Sequence, residues 1–334
     1  MSADVKEAVL DVVDLGVVWQ HRRGEVAILD GVSLSIAAGE TVALVGESGA
    51  GKSMFALAVM GLLPDGMRVA RGTIALDGDE LVGATPPAIR AKRGGQMSMI
   101  FQDPSSSLHP AFRVGDQIAE TLRTHGTCAT KADARARAVE LLRLVGIPQP
   151  DARVRDYPHQ LSGGMRQRVM IAMAIANDPQ LLIADEATTA LDVTVQAQVL
   201  DVLRGAQQRT GAALLLVTHD LGVVAGIADR VVVLYAGRVV EEGTVAEVLA
   251  APSHPYTLGL MRAVPRLTAI GTGGVLPAIS GQPPNPGAWP SGCVFHPRCE
   301  LADERCEVEA PVLTPFGSGD RRAVACHHPV TETS

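Results

Sequence analysis

Thr41-Val-Ala-Leu-Val45 followed by Gly46-Glu47-Ser48-Gly49-Ala50-Gly51-Lys52-Ser53 is the stretch on which the fold turns. The first five residues are apolar or β-branched without polar alternation, the pattern of a strand covered on both faces. The next eight fit G-x-x-x-x-G-K-S. The run Lys52 to Leu63 is helical in character, with Pro64 and Gly66 as its stop. Strand, glycine-rich turn and helix form the setting in which this motif holds phosphate. Gly46, Gly49 and Gly51, with Ser48 in the same loop, let backbone N–H groups close around phosphate oxygens, and the helix N-terminus adds positive dipole. Lys52 brings a point charge to the outer phosphates, and the Ser53 hydroxyl can ligate Mg²⁺.

A phosphate loop of this kind needs a second oxygen ligand for the metal. Leu181-Leu-Ile-Ala-Asp185 is an apolar strand ending in a carboxylate suited to Mg²⁺, and Glu186 follows it directly. Glu186 can act as general base toward water near the γ-phosphate, or orient that water. Working outward, residues 9–19 and 26–36 are β-like, Arg71 to Leu81 suggests a hairpin, and Gln96 to Phe101 is a strand candidate. From about 108 to 178 the pattern is helical. Thr130-Lys-Ala-Asp133 resembles a capping start, and Gly146-Ile-Pro148 marks an end. Ala213 to Thr218 and Val231 to Tyr235 are further short apolar strands. Alternating strands and helices predict an α/β domain with a mostly parallel sheet and a helical subdomain inserted at about 103–178.

The chain has 334 residues and a formal charge of -7, with 47% hydrophobic residues. Such a composition can build a sizeable core and does not resemble a disordered chain. Mild acidity argues against nucleic acid as the main partner. No run of about 18 apolar residues is present, and Met1 to Asp14 lacks the layout of a signal peptide, so a cytoplasmic location is expected. Four of the five cysteines, Cys293, Cys299, Cys306 and Cys326, lie in the last 42 residues, beyond a segment rich in proline. Clustered thiols in a cytosolic protein suit metal ligation better than disulfides. Cys128 stands apart.

Leu161-Ser162-Gly163-Gly164-Met165-Arg166-Gln167 lies between the two nucleotide motifs. Ser162 is placed to cap a helix, and Gly163 and Gly164 permit close approach of backbone to an anion. At this point the chain resembles the ATP-binding-cassette ATPases, whose signature is an LSGGQ-like segment, over about residues 8 to 250. The resemblance implies a P-loop NTPase (RecA-like) core with a mostly parallel sheet, an N-terminal antiparallel β subdomain and an inserted helical subdomain. It further implies that Gln102 is the glutamine that senses metal and attacking water, that Asp192, closing Thr189-Ala190-Leu191-Asp192, belongs to the loop crossing the dimer interface, and that His219 contacts the γ-phosphate. Trp19 can be the aromatic that stacks on adenine or a plain strand aromatic. Two cassettes pair head to tail in this family, so a single cassette needs a partner.

Narrower wording points to one branch. Gln102-Asp-Pro104 through Pro110, Tyr157-Pro158-His159-Gln160, Asp192 through Gln198, His254-Pro-Tyr-Thr257 and Gly292-Cys293-Val-Phe-His-Pro-Arg-Cys299 resemble the dipeptide, oligopeptide and nickel importers. Ala187 and Ala50 depart from the usual proline and serine, and His109 from a common asparagine. The branch implies an ATPase subunit at the cytoplasmic face of the plasma membrane. Its implied partners are two transmembrane permease subunits, a second homologous ATPase subunit in a heterodimer, and an extracytoplasmic substrate-binding protein. Dipeptides or oligopeptides are the expected cargo, with nickel chelates and oligosaccharides as alternatives. A soluble cassette protein in DNA repair or translation control, and a non-catalytic regulatory cassette, fit the chain less well. The implied domains are 1–250, the nucleotide-binding domain, and 251–334, an extension with a Pro-rich linker and a Cys-rich metal-binding module. Similar tails carry a [4Fe–4S] cluster, which the resemblance transfers to Cys293, Cys299, Cys306 and Cys326. Zinc, or unliganded thiols, remain alternatives, with His296, His327 and His328 nearby.

Overall fold

The computed structural model describes residues 8–21, 24–102, 107–188, 192–263, 279–317 and 321–330. Its strands are β1 (Ala8–His21), β2 (Gly24–Ala37), β3 (Thr41–Val45), β4 (Met67–Leu76), β5 (Asp79–Glu80), β6 (Met97–Ile100), β7 (Leu181–Asp185), β8 (Ala213–Thr218), β9 (Arg230–Tyr235), β10 (Arg238–Thr244), β11 (Thr314–Pro315) and β12 (Ala323–Val324). The chain divides into two compact units. One comprises Met1–Asp11, Ser35–Thr41 and Ala75–Val217; the other comprises Val12–Leu34, Val42–Ile74 and Thr218–Ser334.

In the first unit β6, β7 and β8 are parallel neighbours, with Ile100 beside Ala184 and Asp185 beside Val217. Every residue of β7 and β8 is buried, which is why both lack polar alternation. The expected helical stretch is present as Val114–Thr124, Lys131–Leu144, Pro150–Arg153 and Gly163–Ala174. Thr130 caps the second of these, its Oγ accepting from the Asp133 N–H at 3.1 Å. Gly146, at φ 70°, ends it with the paired hydrogen bonds of a Schellman turn, Gly146 N–H to Arg143 O and Ile147 N–H to Leu142 O.

In the second unit β3 and β9 are parallel, Val45 lying beside Val233, and β10 returns antiparallel to β9. β12 then adds antiparallel to β10, and β11 to β12. β1, β2 and β4 belong to a separate antiparallel sheet, in which β1 lies between the other two. The hairpin expected over Arg71 to Leu81 is longer on its first strand. β4 begins at Met67, and the turn is Asp77-Gly78, with φ of 50° and 80°. Both residues are left-handed, the geometry that suits a two-residue hairpin. The helix after the phosphate loop is Lys52–Val59, shorter than the run to Leu63 suggested. Gly61 at φ 60° ends it, with Gly61 N–H bonded to Ala58 O and Leu62 N–H to Leu57 O, so the stop precedes Pro64.

The second unit has one core that joins the start and the end of the chain. Ala43, Val45, Val231, Val233 and Tyr235 pack in it with Tyr256, Cys293, Val294, Phe295 and Cys306. The cysteine-bearing tail is therefore built into the hydrophobic centre beneath the phosphate loop. Tyr235, Tyr256 and Phe295 form an aromatic triangle with ring centroids 4.6, 5.2 and 5.4 Å apart. Such pairs contribute about 0.5–1.5 kcal/mol each beyond burial. Beside them Glu241 is fully buried and accepts from the N–H groups of Ser253 (2.8 Å) and His254 (2.9 Å). Burial pushes its carboxyl above the usual range and holds His254 neutral, with a pKa lowered to about 3. No described helix is long and apolar enough to cross a membrane.

Candidate nucleotide-binding site

The phosphate loop leaves β3 at Val45 and enters the helix at Lys52. Three glycines are needed for different reasons. Gly46 sits at φ 156°, and a Cβ there would lie 2.2 Å from the Leu234 carbonyl oxygen. Gly51, at φ 105°, would bring its Cβ to 2.6 Å from Leu29 Cδ2. Gly49 faces open space, so its left-handed φ of 82° alone calls for glycine. Ala50 is buried, and its carbonyl accepts from the Gly237 N–H at 2.9 Å, which ties the loop to the turn after β9. Lys52 is 5% exposed, and its Nζ donates to Gly46 O at 2.8 Å and Glu47 O at 3.1 Å. Its ammonium is thus held across the loop. Ser53 stands at the second helical position, at the N-terminus of the helix.

Asp185 closes β7 and is 8% exposed. Glu186 follows in the left-handed region at φ 47°, an uncommon conformation for a residue with a Cβ. Its N–H donates to Val217 O at 2.9 Å, which keeps the backbone of β7 paired with β8 through the reversal. Gln102 Nε2 donates to Glu186 Oε2 at 3.1 Å, so the glutamine after β6 and the glutamate after β7 meet as a pair. These residues belong to the first unit, whereas Lys52, Ser53 and His219 belong to the second. His219 follows β8 directly and is exposed. Asp220 behind it caps the helix Leu221–Ile227 by accepting from Gly222 N–H at 2.8 Å.

The signature segment opens the helix Gly163–Ala174 as expected, Ser162 Oγ accepting from Met165 N–H at 3.3 Å. Its two glycines differ from the expectation of a shared role. Gly163 faces open space, but a Cβ on Gly164 would come within 2.5 Å of Val195 Cγ1. Gly164 therefore serves the close approach of this helix to Val193–Thr210. Asp192 caps that second helix, its Oδ1 accepting from Val195 N–H at 3.0 Å. Thr189, Ala190 and Leu191 lie outside the described residues.

The family described as "ABC transporter" matches residues 29–189, and "Oligopeptide/dipeptide transporter, C-terminal region" matches residues 240–306. The dipeptide transport ATP-binding protein DppD of Haemophilus influenzae is 46% identical over 325 residues, covering 97% of each chain. The chain belongs to the ABC transporter family. The oligopeptide transport ATP-binding protein OppD of Escherichia coli is 47% identical over 98% of this chain and 95% of that protein. OppD of Mycobacterium tuberculosis is 51% identical over 94% of this chain, and the chain spans about half (51%) of that relative's length. Among solved structures, the dimeric post-hydrolysis state of the ATP-binding cassette MJ0796 bound to ADP and Pi superposes with a TM-score of 0.63. It has 26% identity and covers 71% of this chain and 98% of that one.

In this ABC chain Trp19 lies on β1 and is 39% exposed, its ring 5.0 Å from that of His21. Two features escaped sequence reasoning altogether. The Glu47 carboxylate receives both guanidinium nitrogens of Arg298, at 2.6 and 3.1 Å, and the Glu47 N–H donates to the Tyr256 hydroxyl at 2.8 Å. Glu47 holds the guanidinium protonated, its pKa pushed up from the ordinary value. The only signal was a charged residue placed between two cysteines.

The four tail thiols lie in the second unit. Cys293 and Cys306 are buried, Cys299 and Cys326 partly so. Burial raises all four pKa values; neighbouring thiols raise those of Cys299, Cys306 and Cys326 further, and Cys326, which feels Cys293, Cys299 and Cys306, is pushed up to about 11. Cys293 and Cys306 are also joined through backbone, Cys293 N–H to Cys306 O at 2.8 Å. Asp303, Cys306 and His328 place one ligand atom each within 4.8 Å of one another.

Proposed function

We propose that this chain is the ATP-hydrolysing subunit of an importer that moves oligopeptides or dipeptides across the plasma membrane. The observation that carries the reading is the intact phosphate loop on a chain that also matches the oligopeptide/dipeptide transporter C-terminal region. The loop of Gly46, Ser48, Gly49 and Gly51 with Lys52 binds the phosphates, and Trp19 stacks on the adenine. Ser53, Asp185 and Gln102 would hold Mg²⁺, which would supply neutralisation of phosphate charge. Glu186 takes the proton of the attacking water, Gln102 positions it, and His219 contacts the γ-phosphate. Catalysis is mostly placement and charge neutralisation. Ser162, Gly163, Gly164 and Asp192 act across a head-to-tail pair, the partner being a second, homologous ATPase chain.

The two transmembrane subunits hold this chain at the cytoplasmic face, and an extracytoplasmic binding protein delivers the cargo. Residues 1–250 form the nucleotide-binding domain, with its helical subdomain at about 103–178, and 251–334 the extension. Co-expression with membrane subunits of the peptide-importer type tests this. The chain is expected to co-purify with two membrane chains and a second ATPase, with ATP turnover stimulated by peptide-loaded binding protein. Stimulation by a nickel chelate or an oligosaccharide in place of peptide would reject the cargo, and purification without membrane chains would reject the transport role.

For the tail, a [4Fe–4S] cluster on Cys293, Cys299, Cys306 and Cys326 is the first reading; it would crosslink a segment short of regular structure. Zinc is the second reading, favoured by the Asp303–Cys306–His328 set. Anaerobically purified protein is expected to contain about four iron atoms per chain, the content of one cluster, and to absorb in the visible range. Colourless protein with one zinc per chain would replace the cluster by the second reading.

A further inference from the structure

All three polar groups of Glu47, inside the phosphate loop, are committed. Its N–H donates to the Tyr256 hydroxyl, its carbonyl accepts from Lys52 Nζ, and its carboxylate is forked onto Arg298. Two of those three partners, Tyr256 and Arg298, come from the part of the chain that follows β10. Arg298 is no surface cation: its side chain is 4% exposed. It also donates to Ser280 O at 2.9 Å and lies 5.8 Å from the Tyr235 ring centroid and 6.0 Å from that of Phe295.

The position of Arg298 is set by the cysteine segment. A tight turn runs through it: His296 N–H donates to Cys293 O at 3.0 Å, Arg298 N–H to Phe295 O at 3.0 Å, and Cys299 N–H to His296 O at 3.1 Å. Cys293 and Cys299 thus bracket Arg298 within seven residues of chain. A carboxylate inside a loop that receives phosphates opposes them unless its charge is matched. Arg298 supplies that match, and its planar fork fixes the direction of Glu47 in a way a lysine does not reproduce.

We propose that Arg298 is a positioning residue for the phosphate loop, through which the cysteine segment Cys293–Cys299 sets the affinity for nucleotide. The inference rests on the reading of residues 46–53 as the nucleotide site and adds a control point to it. A change at either cysteine, by loss of its metal or by substitution, shifts the turn, loosens the Arg298–Glu47 fork and weakens nucleotide binding.

The test uses the full chain and a fluorescent ATP analogue, mant-ATP, titrated with Mg²⁺, together with KM and kcat for ATP. Arg298→Ala is expected to weaken binding and raise KM by about tenfold or more, the range for losing a charged hydrogen-bond pair, while kcat stays within about twofold. Arg298→Lys recovers part of the loss. Glu47→Gln in the Arg298→Ala background causes no further loss and recovers part of the affinity, because it removes the unmatched carboxylate. Cys299→Ser weakens binding in the native chain but not on top of Arg298→Ala. Native affinity in Arg298→Ala, or losses that add fully in either double variant, would overturn the proposal. Should Arg298→Ala fail to fold, native affinity in both Arg298→Lys and Glu47→Gln overturns it. Lys52→Ala is measured alongside: undiminished binding there counts against the nucleotide site itself, whatever Arg298 does.

Discussion

Glu186→Gln is expected to bind Mg-ATP as well as the native chain and to hydrolyse it about 10²–10³-fold more slowly, the usual contribution of a positioned general base. The geometry isolates the effect. Glu186 is held by its backbone, through the N–H bond to Val217 O, and by Gln102 at Oε2. Glutamine keeps an oxygen that can accept from Gln102, and it keeps the volume, so the left-handed turn after β7 survives. What disappears is the carboxylate that takes a proton from water. Asp185, one residue earlier and buried at the strand end, is untouched, so metal binding should persist. Single-turnover hydrolysis with equilibrium binding in parallel separates the two steps. Turnover within about threefold of native would remove Glu186 from the role of base, since a base supplies at least about 10²-fold.

Gly46→Ala is expected to abolish nucleotide binding at micromolar concentrations and to cost about 1–3 kcal/mol of stability, the range for overpacking a close-packed site. The new Cβ would lie 2.2 Å from Leu234 O and 3.2 Å from Ala50 Cβ, and its φ of 156° favours glycine. Relief requires the loop to lift from β9. Gly46 O is an acceptor of Lys52 Nζ, so lifting the loop also moves the ammonium. Gly49→Ala is the control. Its Cβ meets nothing within 4 Å, which leaves a backbone cost of about 1 kcal/mol at φ 82°. Mant-ATP titration and urea unfolding of the two variants should rank Gly46→Ala well below Gly49→Ala. The opposite order would show that loop conformation rather than the contact with β9 governs the site.

Much of the strand framework was readable because fully buried strands have a signature of their own. β3, β7 and β8 fall on the stretches Thr41–Val45, Leu181–Asp185 and Ala213–Thr218 that apolarity marks. Caps were readable for a similar reason: Thr130 and Ser162 act within three residues of themselves, so local sequence contains both partners. Helix ends were harder. Pro64 and Gly66 drew attention, yet Gly61 ends the helix, because a Schellman turn depends on one left-handed residue and needs no proline.

The sequence by itself determined the nucleotide chemistry. A glycine-rich loop with lysine and serine, an apolar strand closing on two carboxylates, and a Ser-Gly-Gly helix start are short-range patterns whose parts lie next to each other in the chain. The tertiary structure alone decided what Glu47, Gly164 and Arg298 do. Gly164 makes room for Val195, about thirty residues away, and Glu47 meets Arg298, whose separation is 251 residues. Pairings at such distances arise only when packing brings the elements together. The physical reason is that a hydrogen-bonded turn is specified by its own residues, whereas an ion pair or a missing Cβ is specified by whatever the fold sets against it.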